Sequence, residues 1–222
     1  MFESIYGSPY HHPYFFWAAG LPVLVGLLAW ARLGSHRIVH LRWLLPLFQV
    51  AILLDAWLTA PTSPLAGTVA QNVAIAFVVL GDARYFLLLE HLGKGRPLAR
   101  ASAYALAWSL LIPVASLVAK LYSTQRRVIF LTYESMFAVL ALGLALVVVP
   151  RLPEGPGRTY LRWLTWFEVV QYVTWASADV LILAGFDAGY LLRLVPNAMY
   201  YVVFVPFAWR VRPLALDAAT GH

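Results

Sequence analysis

The chain has 222 residues, of which 62% are hydrophobic and 12% charged, whereas about a quarter of an average soluble domain is charged. So little charge excludes an ordinary soluble domain, and the absence of cysteine excludes disulfides, a thiolate metal site and a cysteine nucleophile. The net charge of +6 does not indicate nucleic-acid binding, because the basic residues cluster between apolar runs in the pattern of membrane topology.

Apolar runs of about twenty residues recur along the chain and predict an all-α membrane protein with seven transmembrane helices. In chain order the helices are expected at residues 14–33, 41–59, 67–90, 98–120, 128–149, 159–183 and 190–209. Glycine, proline and charged residues mark the breaks between them. Residues 1–222 are expected to form one transmembrane domain in an inner or plasma membrane.

Loop charge predicts the orientation, because loops rich in arginine and lysine stay on the cytoplasmic side. One side holds Arg32, Arg37, Arg42, Lys94, Arg96, Arg100, Arg151, Arg158, Arg162, Arg210 and Arg212. The other holds Lys120, Arg126, Arg127 and Arg193. This bias places the N-terminus outside and the C-terminus in the cytoplasm. We interpret Arg126-Arg127 as solvated loop charge, in preference to a contact with anionic lipid or with an anionic solute.

A short motif occurs twice at the start of a predicted helix. Leu41-Arg42-Trp43-Leu44 opens the second helix, and Leu161-Arg162-Trp163-Leu164 opens the sixth. An Arg-Leu pair ends the helix before each motif. The sequence therefore predicts two parallel three-helix repeats, residues 14–90 and 128–209, joined by a linker helix at 98–120. Parallel repeats of this kind occur in transporters, whose sites lie between the repeats near mid-membrane.

This three-plus-one-plus-three order resembles the SWEET and PQ-loop transporters and, more loosely, the seven-helix opsin-like proteins. The Pro-Gln dipeptide of the PQ-loop family is absent, so no binding residue is carried over from the resemblance. A retinal-linked photoreceptor is discounted, because such a protein needs a lysine in helix 7 and the only lysines are Lys94 and Lys120.

Six of the ten acidic residues lie inside predicted helices, where a charge costs about 3 kcal/mol on insertion scales. They are Asp55, Asp82, Glu90, Glu134, Glu168 and Asp179. Such residues usually face a bundle interior or a cavity. On helix 6, Glu168, Gln171, Trp175 and Asp179 follow at steps of three or four and share one face. Trp175 is expected either to stack on a planar ligand or to pack on a neighbouring helix.

Depth along the predicted helices brings Asp55, Glu134, Asp179 and Arg193 to one outer layer. One arginine among three acids leaves an excess of negative charge, which favours a proton site or a site for a cationic solute. The alternative is a structural Asp179–Arg193 pair that ties helices 6 and 7 together.

A second group is expected at the inner level of the bundle. Asp82 and Arg84 are two residues apart and point in different directions from one helix, so Arg84 is expected to pair with another helix. Glu168 is the predicted partner. This pair would be a structural latch or a gate that opens when either member is protonated.

The function we predict is a small-solute membrane transporter, with the proton as candidate coupling ion and a polar site between helices 2, 3, 6 and 7. The predicted substrate-binding or proton-binding residues are Asp55, Asp82, Arg84, Glu134, Glu168, Gln171, Trp175, Asp179, Arg193, Asn197 and Tyr200. No catalytic residue, cofactor or metal ligand is predicted. Expected partners are the lipid bilayer and a small molecule or ion.

Other functions stay open at this stage. The same pocket suits a seven-helix receptor or sensor that binds a ligand without transport. An accessory subunit of a larger membrane complex is the third class, in which the acids pair with partner helices. Homo-oligomerisation and an intramembrane acid-catalysed reaction at Glu168 or Asp179 also stay open.

Overall fold

A computed structural model describes residues 1–33 and 39–212, and the regular structure in these ranges is helical throughout. In chain order the α-helices are α1 (Phe2–Tyr6), α2 (Phe16–Leu33), α3 (Val39–Leu58), α4 (Gly67–Leu88), α5 (Leu98–Ser109), α6 (Leu111–Lys120), α7 (Arg126–Gly143), α8 (Pro156–Leu183), α9 (Ala188–Ala198) and α10 (Phe204–Val211). Arg37 of the predicted cytoplasmic loop and the predicted cytoplasmic end at 213–222 lie outside the described residues.

Wider π-helical turns join several of these helices into longer rods. They lie at Leu89–Gly93 after α4, Leu144–Val148 after α7, and Met199–Val203 between α9 and α10. The segment before α2, Tyr10–Phe15, is instead kinked at His12, whose backbone is not helical. The turn before α10 shows the π-helical pattern, because the N–H of Phe204 donates to the carbonyl of Met199, five residues back. Such turns are rare and frequently mark functional sites.

The described residues contain six helical segments long and apolar enough to cross a membrane. They are Tyr10–Arg32, Leu41–Leu58, Gly67–Gly93, Leu98–Tyr122, Arg126–Arg151 and Ala188–Val211. Helix α8 is longer than any of them, at 28 residues, but its polar and charged side chains leave it outside this set. The chain is therefore a membrane-type helical bundle.

Helices that are adjacent in sequence pack side by side in this bundle. The most extensive contacts are those of α2 with α3, α4 with α5, α7 with α8, and α8 with α9. The last described helix packs against the first helices, because α10 contacts α3 and the Met199–Val203 turn contacts α2. Helix α8 contacts α4, α7, α9 and α10, so the polar face of α8 meets several helices at once.

The two Leu-Arg-Trp-Leu motifs have the same pattern of burial. The leucines of both motifs lie in the core, whereas Trp43 and Trp163 are 53% and 56% exposed on the bundle surface. Exposed tryptophans at helix ends are typical of membrane interfaces. The internal repeat itself stays a prediction.

The predicted linker helix at 98–120 is divided in two. Helix α5 ends at Ser109, and α6 begins at Leu111. The cause is Pro113, which has no N–H to donate to the carbonyl of Ser109, four residues back. The segment remains one apolar span, Leu98–Tyr122, that bends at this break.

Candidate functional site

All six acidic residues of the predicted membrane helices are buried. Asp55, Asp82, Glu90, Glu134, Glu168 and Asp179 are between 0% and 8% exposed. Glu90 is neutralised near the end of α4 by Lys94 at 2.7 Å and Arg96 at 2.9 Å. The other five fall into two groups, one around Arg193 and one around Arg84.

The Arg193 cluster is made of Arg193, Glu134, Asp179, Arg127 and Tyr6. The guanidinium of Arg193 donates to Glu134 Oε1 at 3.0 Å and also to Asp179 Oδ1. Arg127 donates to the same Asp179 oxygen at 3.2 Å. Two arginines thus face two fully buried carboxylates, and the cluster is electrically balanced.

The predicted excess of negative charge in this layer is therefore wrong. Asp55 makes no hydrogen bond or ion pair with the described members of this cluster; its carboxylate instead accepts a hydrogen bond at 3.1 Å from Thr59, the residue that follows α3. Arg127 supplies the second cation, so its interpretation as solvated loop charge is also wrong; its side chain is only 23% exposed. The Asp179–Arg193 pair between the sixth and seventh predicted helices is present.

Trp175 and Asn197 extend the Arg193 cluster towards the centre of the bundle. The indole N–H of Trp175 donates to Asn197 Oδ1 at 2.8 Å, and Asn197 Nδ2 donates to the hydroxyl of Tyr6 at 3.5 Å. That hydroxyl also accepts from Arg193 Nε at 3.0 Å. The Trp175 ring packs against Tyr200, with ring centroids 5.8 Å apart. Trp175 is thus engaged in packing and hydrogen bonding.

Helix α1 lies across the Arg193 cluster, held by the loop between α8 and α9. Asp187 accepts hydrogen bonds from the backbone N–H groups of Phe2 at 2.9 Å and Glu3 at 3.2 Å, and from the Met1 amine at 3.0 Å. These are the unpaired donors of the first helical turn. This attachment places the hydroxyl of Tyr6 on Arg193.

The attachment of α1 is expected to depend on pH. The hydrogen bond from Phe2 and the contact with the N-terminal amine lower the pKa of Asp187, which is exposed. A lowered pKa means that the attachment is complete above the ordinary aspartate pKa and is lost as the pH falls through the lowered value. The rate of amide hydrogen exchange in residues 1–10, corrected for its intrinsic pH dependence, should increase as the pH falls through the lowered pKa of Asp187. Asp187→Asn should show fast exchange at every pH, and slow exchange in that variant would contradict the assignment.

The Arg84 cluster is made of Arg84, Asp82, Glu168 and Tyr172, with Asp55 beside it. Arg84 is 5% exposed, and its Nε donates to the Gly81 carbonyl at 2.9 Å. Its Nη1 has no hydrogen-bond partner in the part of the chain that the structure describes. Within 1–33 and 39–212, no carboxylate oxygen lies within 4 Å of this guanidinium.

The predicted Arg84–Glu168 pair is therefore wrong. The guanidinium carbon of Arg84 lies 4.5 Å from the ring centroid of Tyr200 and 5.0 Å from that of Phe204. Cation–π attraction to these rings and the bond to Gly81 hold the side chain towards α10, away from α8.

The two carboxylates of the Arg84 cluster share a small cavity between α4, α7 and α8. Its lining includes Asp82, Glu168, Tyr172 and Phe137, and it has room for about one water molecule. Tyr172 donates to Asp82 Oδ1, and no described residue is a hydrogen-bond partner of Asp82 Oδ2. Glu168 makes no hydrogen bond or ion pair with any described residue. A carboxylate pair of this kind can share a proton.

A second cavity lies on the other side of Arg84. It is lined by Asp55, Arg84, Tyr200 and apolar side chains of α3 and α4. A Cβ at Gly81 would overlap the hydroxyl of Tyr200, so this glycine allows the tyrosine to lie directly on α4. The buried Gln171, whose Oε1 has no partner, completes the polar face of α8.

Three participants were missed by the reasoning from sequence. Tyr172 follows Glu168 by four residues and so lies on the polar face of α8, which was a usable signal. Arg127 was conspicuous as part of a basic pair on the predicted outer side. Tyr6 gave no signal, because it precedes the first predicted helix and reaches Arg193 only through the fold.

Comparisons of this chain with known proteins found no relative. No protein-family model matches the chain, and neither the curated proteins nor the solved structures give a match. Function is therefore inferred from the described residues themselves, and the architectural resemblance to SWEET and PQ-loop transporters stays a prediction.

Proposed function

We propose that this chain is a proton-coupled transporter of a small solute. In this proposal it crosses the membrane seven times, with its N-terminus outside and its C-terminus in the cytoplasm. Helix α8 provides the seventh crossing, since 28 residues at about 1.5 Å each span about 42 Å, more than the roughly 30 Å of hydrocarbon. The similar burial of the two Leu-Arg-Trp-Leu motifs supports a pair of parallel repeats.

The observation that carries the proposal is a set of buried charged side chains without ion-pair partners among the described residues. Arg84, Asp82 and Glu168 are 5%, 8% and 7% exposed, and no ion pair joins them. Unpaired buried charges cost several kcal/mol, so a protein keeps them only where they have another use. In membrane helices they mark the paths of ions, protons and substrates.

The two clusters have different roles in this proposal. Each charged side chain of the Arg193 cluster has an ion-pair partner, and the cluster ties α7, α8 and α9 together at one end of the bundle. Asp82 and Glu168 form no ion pair. If the two carboxylates hold one proton between them, their remaining negative charge balances the positive charge of Arg84. We therefore assign proton binding to Glu168 and Asp82, and closure of one end of the bundle to the Arg193 cluster.

Proton uptake by liposomes that contain the purified protein tests this function. An inward proton gradient is imposed with valinomycin and potassium present, and internal pH is followed with a trapped dye. The experiment is repeated with mixtures of small anions, cations and neutral solutes. Solute-stimulated uptake is expected, and Glu168→Gln should reduce it at least about tenfold, as expected for loss of a proton-transferring group.

The matched control is Glu154→Gln, which removes an exposed carboxylate whose side chain is 89% exposed. It should leave uptake unchanged. Unchanged solute-stimulated uptake in Glu168→Gln would overturn the proton assignment. Ligand binding without any flux would favour a sensor, and activity that appears only with co-purifying subunits would favour an accessory subunit.

A further inference from the structure

Arg84 has hydrogen-bonding capacity that the protein does not use. A guanidinium carries five N–H donors, and among the residues that the structure describes only Nε has a protein acceptor, the Gly81 carbonyl. Nη1 is buried without a partner. A buried donor left without an acceptor is costly, and a ligand that supplies the acceptor recovers that cost.

The aromatic rings around Arg84 leave the edge of the guanidinium available. Tyr200 and Phe204 approach it at 4.5 Å and 5.0 Å, and both interact through their π-systems. Cation–π contact uses the faces of the rings and leaves N–H groups for in-plane hydrogen bonds. Two parallel N–H groups fit the two oxygens of a carboxylate.

The lining of the cavity beside Arg84 suits a short solute that is charged at one end and apolar at the other. Arg84, Asp55 and Tyr200 are its polar lining, and Ala51, Ile52, Phe77 and Leu80 supply apolar walls. Its space is about that of one water molecule, so a solute enters only when the bundle is more open. Apolar walls next to one guanidinium suit a carboxylate attached to a short hydrocarbon chain.

The protonation state of the acidic side chains around Arg84 decides whether an anion can bind there. The titratable or charged groups that face this region are Asp55 on α3, Asp82, Arg84 and Tyr85 on α4, Tyr133 on α7, Glu168 and Tyr172 on α8, and Tyr200 and Tyr201 before α10. With all three carboxylates ionised, an entering anion meets repulsion in a low dielectric. Protonation removes that repulsion, so an anion and a proton favour each other's binding.

We propose that Arg84 anchors the carboxylate of a small organic anion, which binds together with a proton held by Asp82 and Glu168. This inference rests on the proposed transport function and names its substrate class. The proton comes from the aqueous phase and binds a carboxylate oxygen, and no covalent bond in the solute changes.

Binding is tested on the full chain in lipid nanodiscs with propionate as the probe. Tryptophan fluorescence is the readout, since Trp175 packs on Tyr200 beside the cavity. Propionate should bind more tightly at pH 6 than at pH 8. Arg84→Gln should weaken binding about tenfold to hundredfold, the range for loss of charge-assisted hydrogen bonds. Arg84→Lys keeps the charge but loses the paired donors, so it should give an intermediate loss.

Two controls separate this inference from its alternatives. Arg100→Gln removes an exposed arginine at the start of α5 and should not change binding. Propylammonium, a cation with the same number of carbons, should not bind. Propionate affinity that is equal in Arg84→Lys and the wild type, or binding of propylammonium in place of propionate, overturns the substrate class. If proton uptake depends on Glu168 but is not changed by propionate, the proposed transport function is retained and only the role of Arg84 as a carboxylate anchor is rejected.

Discussion

Replacing Arg193 with methionine is expected to destabilise the protein by about 3–5 kcal/mol. The change removes the cation that Glu134 and Asp179 share, and both carboxylates are fully buried. Breaking a buried pair from one side leaves charge in a low dielectric without compensation, which costs far more than the pair contributes when intact. Equilibrium unfolding in mixed micelles of mild detergent and SDS measures the loss.

Two further variants locate the source of that loss. Arg127→Met should cost less than Arg193→Met, because its side chain is partly exposed and Asp179 keeps Arg193 as a partner. The triple variant Arg193→Met, Glu134→Gln, Asp179→Asn removes both signs of charge and should recover most of the stability. If Arg193→Met is as stable as the wild type, the cluster does not hold the bundle together.

Gly189→Ala is expected to separate α9 from α8 and to cost up to about 3 kcal/mol. A Cβ at this position would lie 2.8 Å from the Ala178 carbonyl oxygen and 2.8 Å from the Ile182 nitrogen. Both are backbone atoms of α8 and cannot rotate away. Since Asp179 follows Ala178 and Arg193 lies one turn beyond Gly189, the same displacement should lengthen the Asp179–Arg193 contact.

The matched control for this prediction is Gly26→Ala on α2, where an added Cβ meets no atom within 4 Å. That change should be neutral or slightly stabilising, because alanine favours the helix more than glycine does. Thermal unfolding followed by circular dichroism compares the two variants. Equal melting temperatures would show that the close approach of α8 and α9 is not needed.

Local patterns in the sequence were sufficient for most helices and for the polar face of α8. The predicted sixth helix, 159–183, differs from α8 by three residues at its start, because Pro156 is favourable in the first turn of a helix. The division of the linker at Pro113 was readable in principle, since a proline removes one helical hydrogen bond. These features depend on residues within a few positions of one another.

Contacts between distant parts of the chain were not readable in this way. Tyr6 reaches Arg193 across 187 positions, and nothing near either residue encodes that contact. Arg84 was assigned to Glu168 by charge and by level in the bundle, whereas the aromatic rings of Tyr200 and Phe204 decide its position. Opposite charge predicts that partners exist, but packing decides which group is close enough.

The π-helical turn at Met199–Val203 separates the two rings that flank Arg84, since Tyr200 lies within it and Phe204 just after it. A π-helical turn holds its hydrogen bond over one more residue than an α-helical turn. If Met199–Val203 relaxes to α-helix, every residue beyond it rotates by about 100° around the helix axis relative to α9. Phe204 then leaves the guanidinium while Tyr200 stays. A change of helical winding in one turn is thus enough to exchange an aromatic neighbour of Arg84 for a ligand, without breaking any helix of the bundle.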